Sequence, residues 1–577
     1  MFNENKIYLG KAGDKKVFIH PRMANRHGLI AGATGTGKTI TLKVMAESFS
    51  DMGVPVFLAD IKGDLSGMCD PGRESEDMIE RINRFGLSED GFVYRSYPVS
   101  FWDVYQKQGM PLRTTVSEIG PILLSRILDL NQTQSEILKV IFKIADDEGL
   151  LLIDTKDLKA ILSYVGENSK EYSLNYGNIS KQSLATIIRA VISIEAEGGE
   201  LFFSDPALDI HDWFKVNNDG QGFINILECE ELVKNPTMYS TFLLWMLSEL
   251  YETMPEAGDS DKPRMVFFFD EAHLLFDSAS KELLEKITQI VKLIRSKGIG
   301  IYFITQNPRD IPDEVLAQLG NKVQHALHAY TPSEQKSAKA AADSFRANPD
   351  FDTYETLLNL GIGQALVSVL GEDGIPTMAE KVSILPPQSK MGPVDPALRN
   401  SFITGSPLYD KYSEEIDPDS AWEFLMRKAS EEEAEAERLR KEAEAEKQRL
   451  KEEAEAEKQR LKEEAAAEKE RLKAEALAEK ERLKAEALAE KERIKAEKAA
   501  LAEAEKAAKA AEREAQKKKN AVKNAGKSVA SSAAGTLGRE VGNALGSTMG
   551  GKFGKKLGGN LGASLGRGII GTLFRLK

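Results

Sequence analysis

The chain holds two cysteines in 577 residues, Cys69 and Cys229. That is too few for a disulfide framework or for a four-cysteine zinc site, and it fits a reducing cytoplasm. No run of eighteen uninterrupted apolar residues occurs, which argues against a conventional membrane span. Met1–Gly10 carries no long apolar stretch, so no secretory leader is expected. His27, His273 and His325 share no spacing that suggests a metal, and no chemistry is assigned to them. Between residues 419 and 519 glycine and proline are both missing, so nothing there breaks a helix. The body of the protein lacks net positive charge. Residues 1–430 carry a net −19, against −13 for the whole chain, whereas 521–577 hold nine Lys/Arg and one Glu. An acidic body does not draw nucleic acid by its overall field, but it leaves room for a locally basic channel.

What is present points first to a nucleotide. Gly32-Ala33-Thr34-Gly35-Thr36-Gly37-Lys38-Thr39 fits the phosphate-loop pattern G-x-x-x-x-G-K-[ST]. Glycines let the backbone curl so that successive N–H groups face phosphate oxygens. Lys38 reaches the outer phosphates, and the Thr39 hydroxyl suits Mg²⁺. His27–Ala31 reads as a short buried strand before the loop, and Ile40–Phe49 as a helix after it, the flanks such a loop requires.

Three further motifs complete the reading. Met265–Phe269 is an apolar strand ending in Asp270-Glu271. Asp270 is placed to organise Mg²⁺, and Glu271 to activate the attacking water as general base. Ile299–Thr305 is a strand ending in Gln306, which suits sensing of the γ-phosphate. Asp60-Ile61-Lys62-Gly63-Asp64 follows the strand Val54–Ala59. Asp60 and Lys62 either line the nucleotide site or read a neighbouring subunit. Arg295 and Arg309 flank the Gln306 strand and are candidates for an arginine finger across a subunit boundary.

Four regions follow along the chain. Residues 1–390 read as an α/β ATPase domain with a parallel-rich sheet, further strands being expected at Phe223–Leu227, Lys322–His328 and Gln364–Leu370. A helical insertion is expected over about 111–250, including an apolar helix Tyr239–Tyr251. Residues 391–418, rich in proline, read as a linker or a wrapping arm. In 419–520, Leu439, Leu450, Leu461, Leu472, Leu483 and Ile494 recur every eleven residues among charges. Glu468/Arg471, Glu479/Arg482 and Glu490/Arg493 are i,i+3 partners there. Eleven residues in three turns predict a nearly straight helix, and a solitary helix and a coiled coil stay equally open. In 521–577, glycines from Gly538 to Gly566 lie four apart beside a ridge of large apolar residues. Self-packing, contact with an anionic membrane surface through Lys552, Lys555, Lys556 and Arg567, and disorder all stay open for this tail.

Taken in order, Arg26–Gly32 running into the loop, Asp60–Asp64, Asp270-Glu271-Ala272-His273 and Thr305-Gln306-Asn307-Pro308 resemble the HerA/FtsK group of RecA-like ATPases. Residues 1 to about 390 are similar to the bacterial YjgR type of HerA-like protein. The resemblance implies a RecA-like fold, ATP and Mg²⁺ as fuel and metal, and an oligomer, often a hexameric ring with sites at subunit boundaries. It also implies DNA as the polymer moved. Two features depart from the group. Asn307 stands where an arginine is common, and only about 25 residues precede the loop strand. The resemblance does not reach 419–577. The expected location is the cytoplasm, with the basic tail able to place the protein at the inner membrane face.

Overall fold

The computed structural model describes residues 1–258, 260–276 and 281–504. Its centre is a run of short apolar strands that cannot be satisfied on one face alone. In β5 (Val56–Asp60), Phe57 and Ala59 enter one apolar cluster, while Val56 and Leu58 enter another. In β9 (Met265–Phe269), Met265, Phe267 and Phe269 face the first cluster, and Val266 and Phe268 the second. Strands buried on both faces belong to the middle of a sheet covered by helices on each side.

Among the described residues that sheet has 13 strands. Its parallel part also contains β4 (Gly28–Ala31), β6 (Val99–Asp103), β7 (Met110–Pro111), β8 (Ile224–Glu228), β10 (Ile299–Thr305) and β11 (Asn321–His325). Along the sheet they run β11-β4-β10-β9-β5-β8-β6-β7. Beyond β11 the pairing turns antiparallel through β12 (Gln364–Ser368) and β13 (Glu380–Ile384). An N-terminal set, β1 (Phe2–Asn3), β2 (Lys6–Ala12) and β3 (Lys15–Ile19), closes that edge by pairing β2 with β13. The strands β1–β3, β6, β7 and β13 were not expected from the sequence.

The expected strand Lys322–His328 stops at His325, and Gln364–Leu370 stops at Ser368. The helix after the loop, α1, spans Lys38–Asp51. The stretch 111–250 holds helices such as Val116–Ile127, Gln132–Glu148, Thr155–Glu167, Lys181–Ile194 and Pro236–Thr253. It also carries β8, which pairs in parallel with both β5 and β6.

After β13 the chain lies along the α/β body. Buried Glu47 of α1 accepts from the Gln388 and Ser389 N–H groups (2.9 and 3.0 Å) and from the Ser389 hydroxyl (2.6 Å). Lys43, also on α1, donates to Lys390 O (2.6 Å). The helix Pro396–Thr404 then brings Arg399 to Glu228 at the end of β8 (2.8 Å).

Chain contacts divide the protein into Met1–Ala445 and Glu446–Lys577. One helix, Ala421–Ala504, supplies the last element of the first unit and the described part of the second. Its leucines at 439, 450, 461, 472 and 483 are between 53% and 57% exposed, so the eleven-residue stripe is uncovered in the single chain. Arg471 and Arg482 pair with Glu475 and Glu486, four residues on (3.9 and 3.6 Å), rather than with Glu468 and Glu479 three residues back. Such exposed pairs contribute a few tenths of a kcal/mol each. Among the described residues no helix is long and apolar enough to cross a membrane. The expectations for 521–577 fall outside the described residues.

Candidate nucleotide site

The phosphate loop leaves the end of β4 and is tied to both neighbouring strands. Gly32 N–H donates to Thr305 O at the end of β10 (3.2 Å), and Ala33 N–H to Ala326 O just past β11 (2.8 Å). Gly32 has φ +153°, and a Cβ there would stand 2.5 Å from the Cβ of His325, so only glycine fits. Thr34 and Gly35 are exposed at the tip, while the Thr36 hydroxyl closes the turn onto Ala33 O (2.7 Å). Gly37 begins α1 without a side-chain cap. The free N–H groups of the first turn are therefore left for an anion.

Lys38 is 7% exposed and folds its ammonium back onto Gly32 O (2.6 Å) and Ala33 O (3.1 Å). Burial lowers its pKa, against the pull of Glu271 and Asp270. A phosphate would compete for this ammonium with two neutral carbonyls, and it adds the attraction of opposite charges to the hydrogen bond.

The strand registers bring the second half of the site to the same edge. Thr305 pairs with Ala31, and Phe303 with Phe269, so Asp270 and Glu271 emerge beside the ends of β10 and β4. Glu271 holds φ +44°, a left-handed conformation costly for a residue with a side chain. Such strain, on the order of 1–3 kcal/mol, concentrates at working sites. The Asp270 carboxylate accepts from the Glu271 N–H (2.9 Å), and burial, then the Glu271 charge, raise its pKa to about 6. Burial also works to raise Glu271. The Lys62 ammonium outweighs it, with His273 and Gln306 assisting, and holds this carboxyl below its usual range. Lys62 Nζ lies 2.8 Å from Oε1, and the Gln306 side-chain amide 3.4 Å from Oε2.

The Asp60–Asp64 motif is thus drawn to the site of its own chain through Lys62. Asp60 itself turns inward. It is 1% exposed, accepts the Leu65 N–H (3.0 Å) and leaves Oδ1 unpartnered. Burial, then Asp64 and Glu228, push its pKa up to about 7. The two arginine candidates separate. Arg309 is exposed just past Gln306, at the nucleotide edge. Arg295 precedes β10, roughly 20 Å away at the opposite end of the strand.

One residue of the site had no signal in the sequence. His325, at the end of β11, donates from Nδ1 to Gln364 O (2.9 Å) and accepts at Nε2 from the Thr41 hydroxyl of α1 (2.8 Å). Its Cβ lies under Gly32, and its Cε1 is 3.2 Å from where a Cβ on Gly37 would stand. Burial lowers its pKa to about 4, so a neutral imidazole supports the loop from below.

The donor set also fits a metal. Asp270 and Thr39 are oxygen donors at neighbouring edges, and a buried carboxylate raised to about 6 is short of positive charge. Among the described residues no three His, Cys, Asp or Glu side chains converge as a cage. Mg²⁺ suits such a site, because it keeps waters and shares phosphate oxygens instead of filling an all-protein shell.

A probable helicase of Methanocaldococcus jannaschii is 22% identical over 351 residues, 60% of this chain and 60% of that protein. The DNA double-strand break repair helicase HerA of Sulfurisphaera tokodaii is 22% identical over 386 residues, 64% of this chain and 67% of the relative. The chain thus spans about three-fifths to two-thirds of the length of these relatives. Among solved structures, the bacterial conjugative coupling protein TrwBΔN70 is similar over 68% of this chain and 91% of its own, with a TM-score of 0.45 and 14% identity. VirB4 of Thermoanaerobacter pseudethanolicus is similar over 66% and 97%, with a TM-score of 0.42 and 16% identity. The model of the helicase HerA-like C-terminal family matches residues 5–480, well past the expected limit near 390 and into the charged helix. The loop Gly32–Thr39, the strained Glu271 and Gln306 all fall within that match, and the chain belongs to the helicase HerA-like C-terminal family.

Proposed function

We propose that this chain is a Mg²⁺-dependent ATPase that assembles as an oligomer, a hexameric ring by family expectation, and works as a motor on DNA. The observation that carries the reading is the convergence of Lys38, Glu271, Lys62 and Gln306 at one edge of the sheet. ATP phosphates take Lys38 from its two carbonyls and lie against the first turn of α1. Glu271 accepts a proton from the attacking water as the water oxygen bonds to the γ-phosphorus and the bond to ADP breaks. Gln306, already beside Glu271, registers whether the γ-phosphate is present. Thr39 and Asp270 would hold Mg²⁺, which supplies neutralisation of phosphate charge. Of the two candidates, Arg309, exposed just past Gln306, is the arginine that would act across a subunit boundary.

The test is ATP hydrolysis by the full chain with and without single- and double-stranded DNA at low salt. Lys38→Ala and Glu271→Gln serve as blanks. Stimulation by DNA supports the motor, and hydrolysis indifferent to both DNAs would count against it.

A second reading, an ATPase scaffold held by its C-terminal region at a cytoplasmic membrane face, is favoured by one observation. The helix Ala421–Ala504 displays its leucine stripe uncovered. Removing residues 521–577 would then change sedimentation or pelleting with anionic vesicles while hydrolysis persists. Unchanged behaviour on both counts would remove this reading.

A further inference from the structure

Nucleotide contacts so far come from the loop and from the β9–β10 side of it. The opposite flank, where β11 and β12 lie, holds a cation that none of the chemistry above uses. Arg81 sits half-buried on α2 (Glu76–Phe85). This helix packs Ile82 and Phe85 into the apolar cluster that Ile40 of α1 also touches, two residues past Lys38. Its neighbour Arg84 donates to the Ser383 hydroxyl of β13 (3.3 Å). Arg81 has no hydrogen bond or ion pair among the described residues.

Its guanidinium occupies the space a side chain on Gly363 would need. Nη1 and Nη2 lie 2.9 and 3.3 Å from where that Cβ would be. Gly363 has φ +73°, and its bare Cα lies 3.3 Å from where a Cβ on Gly37 would stand. Its N–H donates to Thr36 O (3.0 Å). One glycine therefore separates an uncompensated guanidinium from the phosphate loop.

The strand order indicates which part of a nucleotide meets it. Asp270 and Glu271, the γ-phosphate end, lie beyond β10 on one side of β4. Gly363 immediately precedes β12, which lies beyond β11 on the other side. The ribose and the phosphate attached to it must point away from Glu271, toward Gly363. We propose that Arg81 is a nucleotide-binding residue that pairs with the phosphate nearest the ribose, using the planar fork that suits phosphate oxygens. This rests on the ATPase reading of the loop.

Calorimetric titration of the full chain with ADP at several salt concentrations tests it. Arg81→Gln keeps the length and loses the charge. Its ADP dissociation constant is expected to rise about tenfold, the scale of one charge-assisted hydrogen bond. The salt dependence of binding is expected to become shallower, and Arg81→Lys to recover part of both. Wild-type affinity in Arg81→Gln, or a loss with the salt dependence unchanged, overturns the assignment, the latter marking a packing effect. Lys38→Ala separates the two levels. If it binds ADP as wild type does, the loop reading fails and this inference falls with it. If it loses binding while Arg81→Gln does not, only Arg81 is removed.

Discussion

The Lys62 ammonium lies 2.8 Å from Oε1 of Glu271, a residue 209 positions later in the chain. The carboxylate that would take the proton from water is thus held by a cation of the same subunit, on a backbone at φ +44°. Two strand ends, of β5 and β9, converge on one side chain.

That pair gives the first prediction. Lys62 is 47% exposed, so losing the ion pair should change stability by less than about 1 kcal/mol. Its effect on chemistry should be larger, because misplacing a reacting group by about 1 Å costs up to a hundredfold. Lys62→Ala is expected to lower kcat roughly tenfold and leave KM within about threefold, with Lys62→Arg in between. A variant that raises KM alone would show that Lys62 binds nucleotide instead of placing Glu271.

The loop and its acidic partner were legible because their evidence is local. Gly32–Thr39 has a fixed spacing, and Asp270-Glu271 follows five consecutive apolar residues. The strands that escaped lack such a run. Lys6–Ala12 and Lys15–Ile19 mix lysines with apolar residues at the sheet edge, and Val99–Asp103 hides behind Pro98. His325 was illegible for a different reason. Its role exists only because β11 pairs with β4, which places a residue 288 positions distant in numbering beneath Gly37. Arg81 depends likewise on β12 lying beyond β11. The Arg–Glu pairs in the long helix, expected three residues apart, form four apart at Arg471 and Arg482 for a third reason, since i,i+3 and i,i+4 neighbours are almost equally near.

Asp60 gives a prediction in pH. In the folded protein its carboxyl keeps the proton up to about pH 7, whereas in the unfolded chain it ionises in the ordinary range near 4. Between these values the folded state binds more protons, so for this group stability falls as pH rises. Above 7 the fold carries a buried carboxylate with one oxygen unpartnered. Asp60→Asn cannot ionise and still offers an oxygen to the Leu65 N–H. The difference in Tm, variant minus wild type, should therefore be more positive at pH 8 than at pH 5, by the equivalent of a few kcal/mol. His27 and His325, both lowered to about 4 by burial, act in the opposite direction between pH 4 and 6.5. They do so in both proteins and cancel in the difference. A Tm difference independent of pH would mean that Asp60 is ionised throughout.

His325 gives a third prediction. It joins Thr41 of α1 to Gln364 of β12 and fills the space beneath Gly32. His325→Ala removes both hydrogen bonds and opens a cavity under the loop, an expected cost of about 2–4 kcal/mol. The first turn of α1 would then lose its support, so ADP affinity should drop as well. Urea unfolding without nucleotide measures the first effect, and ADP titration under folded conditions the second. Loss of stability with ADP affinity unchanged would limit His325 to a packing role.

Glu47 ties the phosphate-loop helix to the segment after the last strand. Its side chain, 1% exposed, receives two backbone N–H groups and one hydroxyl from Gln388 and Ser389. Glu47→Ala would leave these donors buried without an acceptor, and each such group costs about 1–3 kcal/mol unless it reaches water. The cheapest escape is for residues 388–390 to lift away from α1, carrying Lys390 O from Lys43 as they go. The variant should therefore lose about 2–4 kcal/mol in urea unfolding and become sensitive to limited proteolysis near residues 386–395, with the phosphate loop still formed. Glu47→Gln keeps an oxygen for one or two of the three donors and should fall between. If Glu47→Ala lowers stability without new cleavage in that segment, the arm is held by its apolar contacts, such as Val394 in the second core cluster, and the carboxylate serves only to satisfy the donors it meets.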